Sequence, residues 1–228
     1  VKIKFPVKPV NDTVYLSYNL DGKNQLDSAV IKNGTVTFTP KLKSSELLYL
    51  HLKGTRDYKL FFVDEGTTTV TTTGSTFKDA EVKAGKSQEL YAAWAVKWKA
   101  IVEDAGKLYR MMDSASQNGK VKEAPEVRAY VDSGFASLER RTDTAVNYIV
   151  TKDPNSPVAA FVIDDRYVNY PNVPQATKYA EKLGAKAKAS SFGKSIEKFV
   201  AVQAKTAVGT KPDFSFPDAD GKEVKLSD

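Results

Sequence analysis

In the stretch Glu81-Val82-Lys83-Ala84-Gly85-Lys86-Ser87-Gln88-Glu89-Leu90-Tyr91 the hydrophobic period of the chain changes. Up to Val82, apolar residues recur at every second position, as in a strand with one buried face; from Ser87 they recur at three- and four-residue steps, as in a helix. Ser87 can cap that helix, and Glu89 places a carboxylate in its first turn, where the helix dipole favours one. Tyr91, Trp94, Trp98, Ile101, Ala105, Leu108 and Met112 then form one stripe, which predicts a helix to about Asp113.

Toward the N-terminus the chain reads as strands. Ile3, Phe5 and Val7 alternate with Lys2, Lys4 and Lys8, and Val14, Leu16 and Tyr18 repeat the pattern before a turn at Asp21-Gly22. Asn33-Gly34, with Ala29 and Ile31 before it and Val36 and Phe38 after it, predicts a two-residue hairpin, because a type I′ turn needs positive φ at both positions. Further strands are expected at 47–52, 58–63, 67–73 and 77–82, which gives an antiparallel β-sandwich or open barrel over residues 1–83.

Toward the C-terminus, a polar link at 114–123 containing Asn118-Gly119 precedes a second helix opening at Pro125, with Val131, Phe135, Leu138, Ala145 and Ile149 on one face. The two helices read as a long antiparallel helical hairpin, followed by shorter helices at 157–163, 174–183 and 191–206. The class is α+β: a β domain over 1–83, a helical section over 84–207 packed on or beside it, and a linker with a hairpin over 208–228.

Composition removes whole classes of chemistry. Among 228 residues there is no cysteine and one histidine, His51, so a thiol nucleophile, a thiolate metal site and a disulfide are all excluded within this chain. No cofactor and no catalytic residue is expected. The net charge of +6 comes from lysines scattered between apolar and acidic neighbours, without the clustered basic run of a nucleic-acid footprint. His51 alternates with Leu50 and Leu52 in a strand, so it is expected on the face opposite them.

Three motifs have plainer readings. Residues 80–87 fit a relaxed phosphate-loop pattern, but with one glycine and Glu81 present a turn and helix start is simpler. Asp218-Ala219-Asp220-Gly221 resembles part of a calcium loop, yet Phe216 and Ser227 occupy the outer ligand positions, which leaves a hairpin turn. Trp94 and Trp98 read as a buried helix face. Asp164, Asp165, Tyr167 and Tyr170 close a short helix and enter a Pro-rich loop; they are the candidate interaction surface, since tyrosines in such loops often make contacts.

Residues Lys211-Pro212-Asp213-Phe214, Asp218-Ala219-Asp220-Gly221-Lys222 and Val224-Lys225-Leu226-Ser227-Asp228 resemble the lead-in of envelope thioredoxin-like proteins of the peroxiredoxin and cytochrome-maturation type. In that family these strands precede a Trp-Cys-x-x-Cys active site. Val14-Tyr15-Leu16, Asp27-Ser28-Ala29-Val30, Asn33-Gly34-Thr35-Val36-Thr37-Phe38, Phe61-Phe62-Val63, Gly85-Lys86-Ser87-Gln88-Glu89-Leu90 and Pro157-Val158-Ala159-Ala160 are similar to the N-terminal domain of unknown function found before such domains in Bacteroidetes. The resemblance implies a non-catalytic scaffolding, dimerising or substrate-recruiting module of a thiol-disulfide oxidoreductase, truncated before its cysteines. Its implied partners are the thioredoxin-like domain, a second copy in a homodimer and protein substrates, with no nucleic acid. The implied setting is the periplasm or outer cell envelope, with a lipid anchor on a removed N-terminal segment. The alternative is a stand-alone β-module that binds glycans or small ligands.

Overall fold

The computed structural model describes residues 1–9, 11–20, 22–117, 125–206, 209 and 215–225. Its β part consists of β1 (Lys2–Lys4), β2 (Thr13–Leu20), β3 (Lys23–Val30), β4 (Thr35–Thr37), β5 (Glu46–Leu52), β6 (Tyr58–Val63), β7 (Thr69–Thr71) and β8 (Glu81–Lys83). They form two sheets, ordered β4-β1-β7-β8 and β3-β2-β5-β6, that face each other as a sandwich and not as a closed barrel. The smaller sheet is pleated once: Val36, Ile3, Val70 and Val82 lie side by side across it, each flanked by Lys, Thr or Glu pointing away. Against them the larger sheet sets Val14, Leu16, Leu48, Leu50, Leu52, Phe61 and Val63, while Phe5, Phe38 and Phe77 fill in from the loops.

Two features of this part differ from the strand periodicity. β1 pairs with β7 in parallel, making the smaller sheet mixed, because alternation fixes which side chains turn inward but not the direction of the neighbouring strand. Asn33 and Gly34 do form the turn, with φ of 50° and 68° and with Lys32 and Thr35 bridged across it. The strands on either side then part, β3 to β2 and β4 to β1, so the turn links the two sheets and does not close a hairpin within one. The backbone of Phe5 holds the chain there: its N–H donates to Gly34 O at 2.7 Å, and a Cβ on residue 34 would lie 2.7 Å from Phe5 O. Val7, expected to face inward with Phe5, is exposed.

The helical part comprises α1 (Lys86–Gln117), α2 (Pro125–Lys152), α3 (Pro157–Ile163), a π-helical turn (Asp164–Val168), α4 (Val173–Ala180), α5 (Ala185–Ala189) and α6 (Ser191–Thr206). Pro157 in the first turn and Ser156, whose side-chain oxygen accepts from Val158 N–H at 3.2 Å, start α3. The helices share a second core that includes Trp94, Val146, Ile149, Val158, Val162, Ile163, Tyr179 and Ile196. A separate ribbon of β9 (Ser215–Pro217) and β10 (Glu223–Lys225) follows; its turn is held by Asp218 Oδ1, which accepts from the N–H groups of Asp220 and Lys222, both at 2.9 Å. Asp21, Asn118-Gly119, the Lys211-to-Phe214 motif and Leu226-Ser227-Asp228 lie outside the described residues.

The two cores meet at β6. Phe61 and Val63 point into the sandwich, while Phe62 between them points the other way and is fully buried in the helical core. Ser87 does not cap α1, which begins one residue earlier. The cap is Asp64, just past β6: its Oδ2 accepts from Ser87 N–H at 2.9 Å, and its Oδ1 accepts from the Ser45 hydroxyl. Gln88 Oε1 in turn accepts from Phe62 N–H at 2.8 Å on the open side of β6. Burial alone would push the Asp64 carboxyl upward, but the hydrogen bonds from Ser45 and Ser87 outweigh it and hold the group below the ordinary carboxylate range.

Removal of this cap by Asp64→Ala is expected to cost about 1–2 kcal/mol of unfolding free energy in urea titrations. Gly85→Ala is expected to cost a similar amount, because its Cβ would collide with the Asp64 side chain. In a double-mutant cycle Gly85→Ala should cost less once Asp64 is Ala; strictly additive losses would show that the cap and the glycine are unrelated. Because the folded pKa is the lower one, the Asp64 contribution is present above the ordinary carboxylate pKa and is lost as pH falls below it. The Asp64→Ala variant should lack that part of the acid limb.

Candidate functional site

With Leu48, Leu50 and Leu52 turned into the sandwich, β5 turns Leu47, Tyr49 and His51 to the opposite face. Strand register then sets Tyr58, His51, Tyr15 and Ser28 in one row across all four strands, with Leu60, Tyr49, Ser17 and Leu26 in the next. The rings lean on one another. Tyr15 stacks on His51 at 5.0 Å between centroids, Tyr49 meets His51 at 5.4 Å, and Tyr49 stacks on Tyr58 at 5.3 Å. His51 lies opposite Leu50 and Leu52, as the alternation predicts; its Nδ1 is closed off from solvent and has no hydrogen-bond partner. Tyr58 remains 53% exposed at the end of the row.

Beside this floor rises a wall made by α1 and the π-helical turn. Tyr91 packs against Phe62 and Phe161, at 5.4 and 5.8 Å, and its hydroxyl is pushed up to about 12, first by burial and then by the nearby Asp165 and Tyr58. One and two turns on, Trp94 and Trp98 stack at 5.5 Å with their planes 6° apart. Arg166 continues the column: its guanidinium lies 3.9 Å from the Trp98 ring centroid and 4.9 Å from that of Tyr170, and its Nε donates to Asp165 Oδ2 at 2.9 Å. The Arg166 side chain, only 13% exposed, thus contacts two rings and a carboxylate at once, and π-turns are frequent at functional sites.

The four residues singled out from sequence separate here. Asp165 and the 67%-exposed Tyr170 come together around Arg166 at the surface. Tyr167, 5% exposed, turns inward and lies parallel to Tyr179 at 5.9 Å; both hydroxyls donate to Asp143 Oδ1, at 3.2 and 2.8 Å. Asp164 turns to α6, where burial raises its carboxyl against the opposing hydrogen bond of Ser195, and the neighbouring Asp165 adds to the rise. The adjacent carboxylates therefore have different partners and do not share a proton. Arg166 and the aromatic row went unread in the sequence. The alternation of β2, β5 and β6 places their aromatics on one face, but the register that lines them up is a property of the folded sheet.

A groove of about 1030 Å³ lies between the sandwich and α5. Its lysines, Lys2, Lys43 and Lys186, share it with Asp64 and Glu65, so it does not concentrate one sign of charge, and Asp64 is already engaged as the α1 cap. Among the described residues no group of three His, Asp or Glu could hold a metal ion, and no helix is long and apolar enough to cross a membrane.

Comparison with known proteins gives one finding. A family model described as "Domain of unknown function (DUF4369)" matches residues 1–91, so such a domain is present there; it takes in the sandwich and the first turns of α1, including the Asp64 cap and the Gln88 contact. No curated protein and no solved structure matches the chain.

The Asp143 cluster supplies a direct check on the wall. Burial first, and the Asp143 carboxylate second, push the Tyr167 hydroxyl far up; burial, the hydrogen bond to Asp143 and its charge do the same for Tyr179. In a spectrophotometric titration both should stay protonated while exposed tyrosines ionise, and Asp143→Ala should bring two tyrosines to lower pH. An unchanged tyrosine count in that variant would contradict the shared hydrogen bond.

Proposed function

We propose that the chain is a non-catalytic, protein-contacting module that accompanies a thioredoxin-like thiol-disulfide oxidoreductase of the cell envelope, and that its contact surface is the aromatic face of the larger sheet with the Arg166 column beside it. The observation that carries this reading is the arrangement of the rings. They form a contiguous row ending in the 53%-exposed Tyr58 and offer hydroxyls and apolar edges on an open sheet face, with the largely buried Arg166 and the exposed Tyr170 beside them. Tyrosine and arginine in such a setting are the residues that anchor protein interfaces. A glycan platform, the other reading, needs a broad ring face turned to solvent, whereas Tyr15, His51, Tyr49 and Tyr58 each already set one face or edge against a neighbouring ring.

Support for the identity of the partner comes from the C-terminal sequence. The hairpin Ser215–Pro217 with Glu223–Lys225, and the turn built on Asp218, suit the first ribbon of a thioredoxin-like domain as the resemblance describes it. With no cysteine in the 228 residues, thiol exchange has to be performed by that partner.

The coding sequence after Asp228 tests the redox half: a Trp-Cys-x-x-Cys shortly downstream is expected, and its absence overturns that half. The surface half is tested by titrating the thioredoxin-like domain with the chain in a calorimeter. The double variant Tyr49→Ala, Tyr58→Ala should weaken binding about tenfold or more while lowering unfolding free energy by only about 1–3 kcal/mol, most of it at Tyr49, whose ring meets both His51 and Tyr58. Equal binding by variant and parent would remove the aromatic face as the contact.

A further inference from the structure

The larger sheet has two edges, and they are treated differently. At β6 the helical section covers the edge, with Gln88 accepting the N–H of Phe62. At the other end, β3 is an eight-residue outer strand that, among the described residues, pairs only with β2. Ile31 N–H continues the ladder to Asp12 O, so in β3 the odd-numbered residues face β2 and the even-numbered ones, Asn24, Leu26, Ser28 and Val30, turn their N–H and C=O groups away from it. The even-numbered side chains are also the ones on the aromatic face, where Leu26 is 62% and Val30 50% exposed. No proline interrupts the strand, and β4 and β8, the edges of the other sheet, are only three residues long. A long edge of this kind is a template for one more strand.

We infer that a second copy of this chain supplies that strand: β3 pairs antiparallel with β3 of its twin about a twofold axis, with Leu26 facing Leu26, making one continuous eight-stranded sheet. The charges along the strand choose the register. Outward-turned groups must meet outward-turned groups, so even-numbered residues pair with even-numbered ones, and two registers overlap most of the strand. One sets Asp27 opposite Asp27, a like-charge contact. The other sets Leu26 opposite Leu26, Asn24 opposite Ser28, and Asp27 opposite Gln25, whose amide can donate to it; the two Asp27 carboxylates then stand only diagonally, and Lys23 of the twin occupies the other diagonal. The twofold doubles the Asn24–Ser28 and Asp27–Gln25 contacts, while Leu26 meets Leu26 once, on the axis. The face is preserved across the axis, so the aromatic rows of the two copies run into one surface. This dimer does not depend on the thioredoxin-like partner and is measured on the chain alone.

The cysteine-free sequence makes the register testable. Sedimentation of the chain over a concentration series should show a monomer–dimer equilibrium, and Leu26→Lys, at an exposed side chain, should abolish the dimer while matching the parent's thermal melt at concentrations where the parent is monomeric. Leu26→Cys should form an interchain disulfide on mild oxidation, because directly opposed residues lie about 5.5 Å apart, within disulfide reach. Ser28→Cys should not, since the two copies of residue 28 would be offset by roughly 13 Å along the strands. A chain that stays monomeric throughout overturns the inference, as does a Leu26→Lys variant that still dimerises. Cross-linking of Ser28→Cys as readily as Leu26→Cys overturns the register. Loss of the dimer would leave the redox reading standing, and a missing Cys-x-x-Cys downstream would leave the dimer standing.

Discussion

The fold depends on one short strand that is buried on both faces. In most of the sandwich the strands have an inside and an outside, but β6 ends in three consecutive aromatic or aliphatic residues whose side chains go alternately to two different cores. Phe61 and Val63 contribute to the sandwich and Phe62 to the helices, and each fully buried side chain of this size stabilises by about 1.5–3 kcal/mol. The helices cannot be detached without exposing Phe62, nor the sandwich opened without disturbing the strand that seats the helices. Asp64 and Gln88 then fix the angle at which α1 leaves the sheet, one by capping the helix and the other by bonding the strand.

That geometry explains where the chemistry-bearing side chains lie. α1 departs beside the outer face of the sheet, so its Tyr91, Trp94 and Trp98 stripe stands next to the tyrosine row. α3 returns underneath, and its continuation as a π-turn carries Arg166 onto Trp98 while Tyr167 is rotated into the core and Asp164 toward α6. One turn of irregular helix thus distributes consecutive residues among three environments: a surface column, a buried hydrogen-bond cluster on Asp143, and a helix interface.

Where local chemistry decided an element, the sequence was easy to read. Pro125 and Pro157 open their helices, and α6 spans 191–206 as its periodicity indicates. Where the deciding partner is distant, it was not. The cap of α1 lies 23 residues away on another element, so Ser87 looked like a sufficient local cap. Three-residue strands carry a single inward side chain, too little pattern to reveal that β1 runs parallel to β7. At the site, Asp165 and Tyr170 could be named from their loop, but Arg166 between them gains its meaning only from Trp98, 68 positions earlier. The five-residue α5 gave no period to recognise.

Both tryptophans of the chain belong to the one stacked pair on α1. Two indoles held nearly parallel at this separation couple electronically, and a guanidinium over one of them perturbs its excited state. All tryptophan absorption, circular dichroism and emission from these 228 residues therefore originates where α1, the π-turn and the sheet edge come together. These 228 residues carry an intrinsic optical gauge of whether the helical section is seated on the sandwich, since both of their indoles lie at that junction.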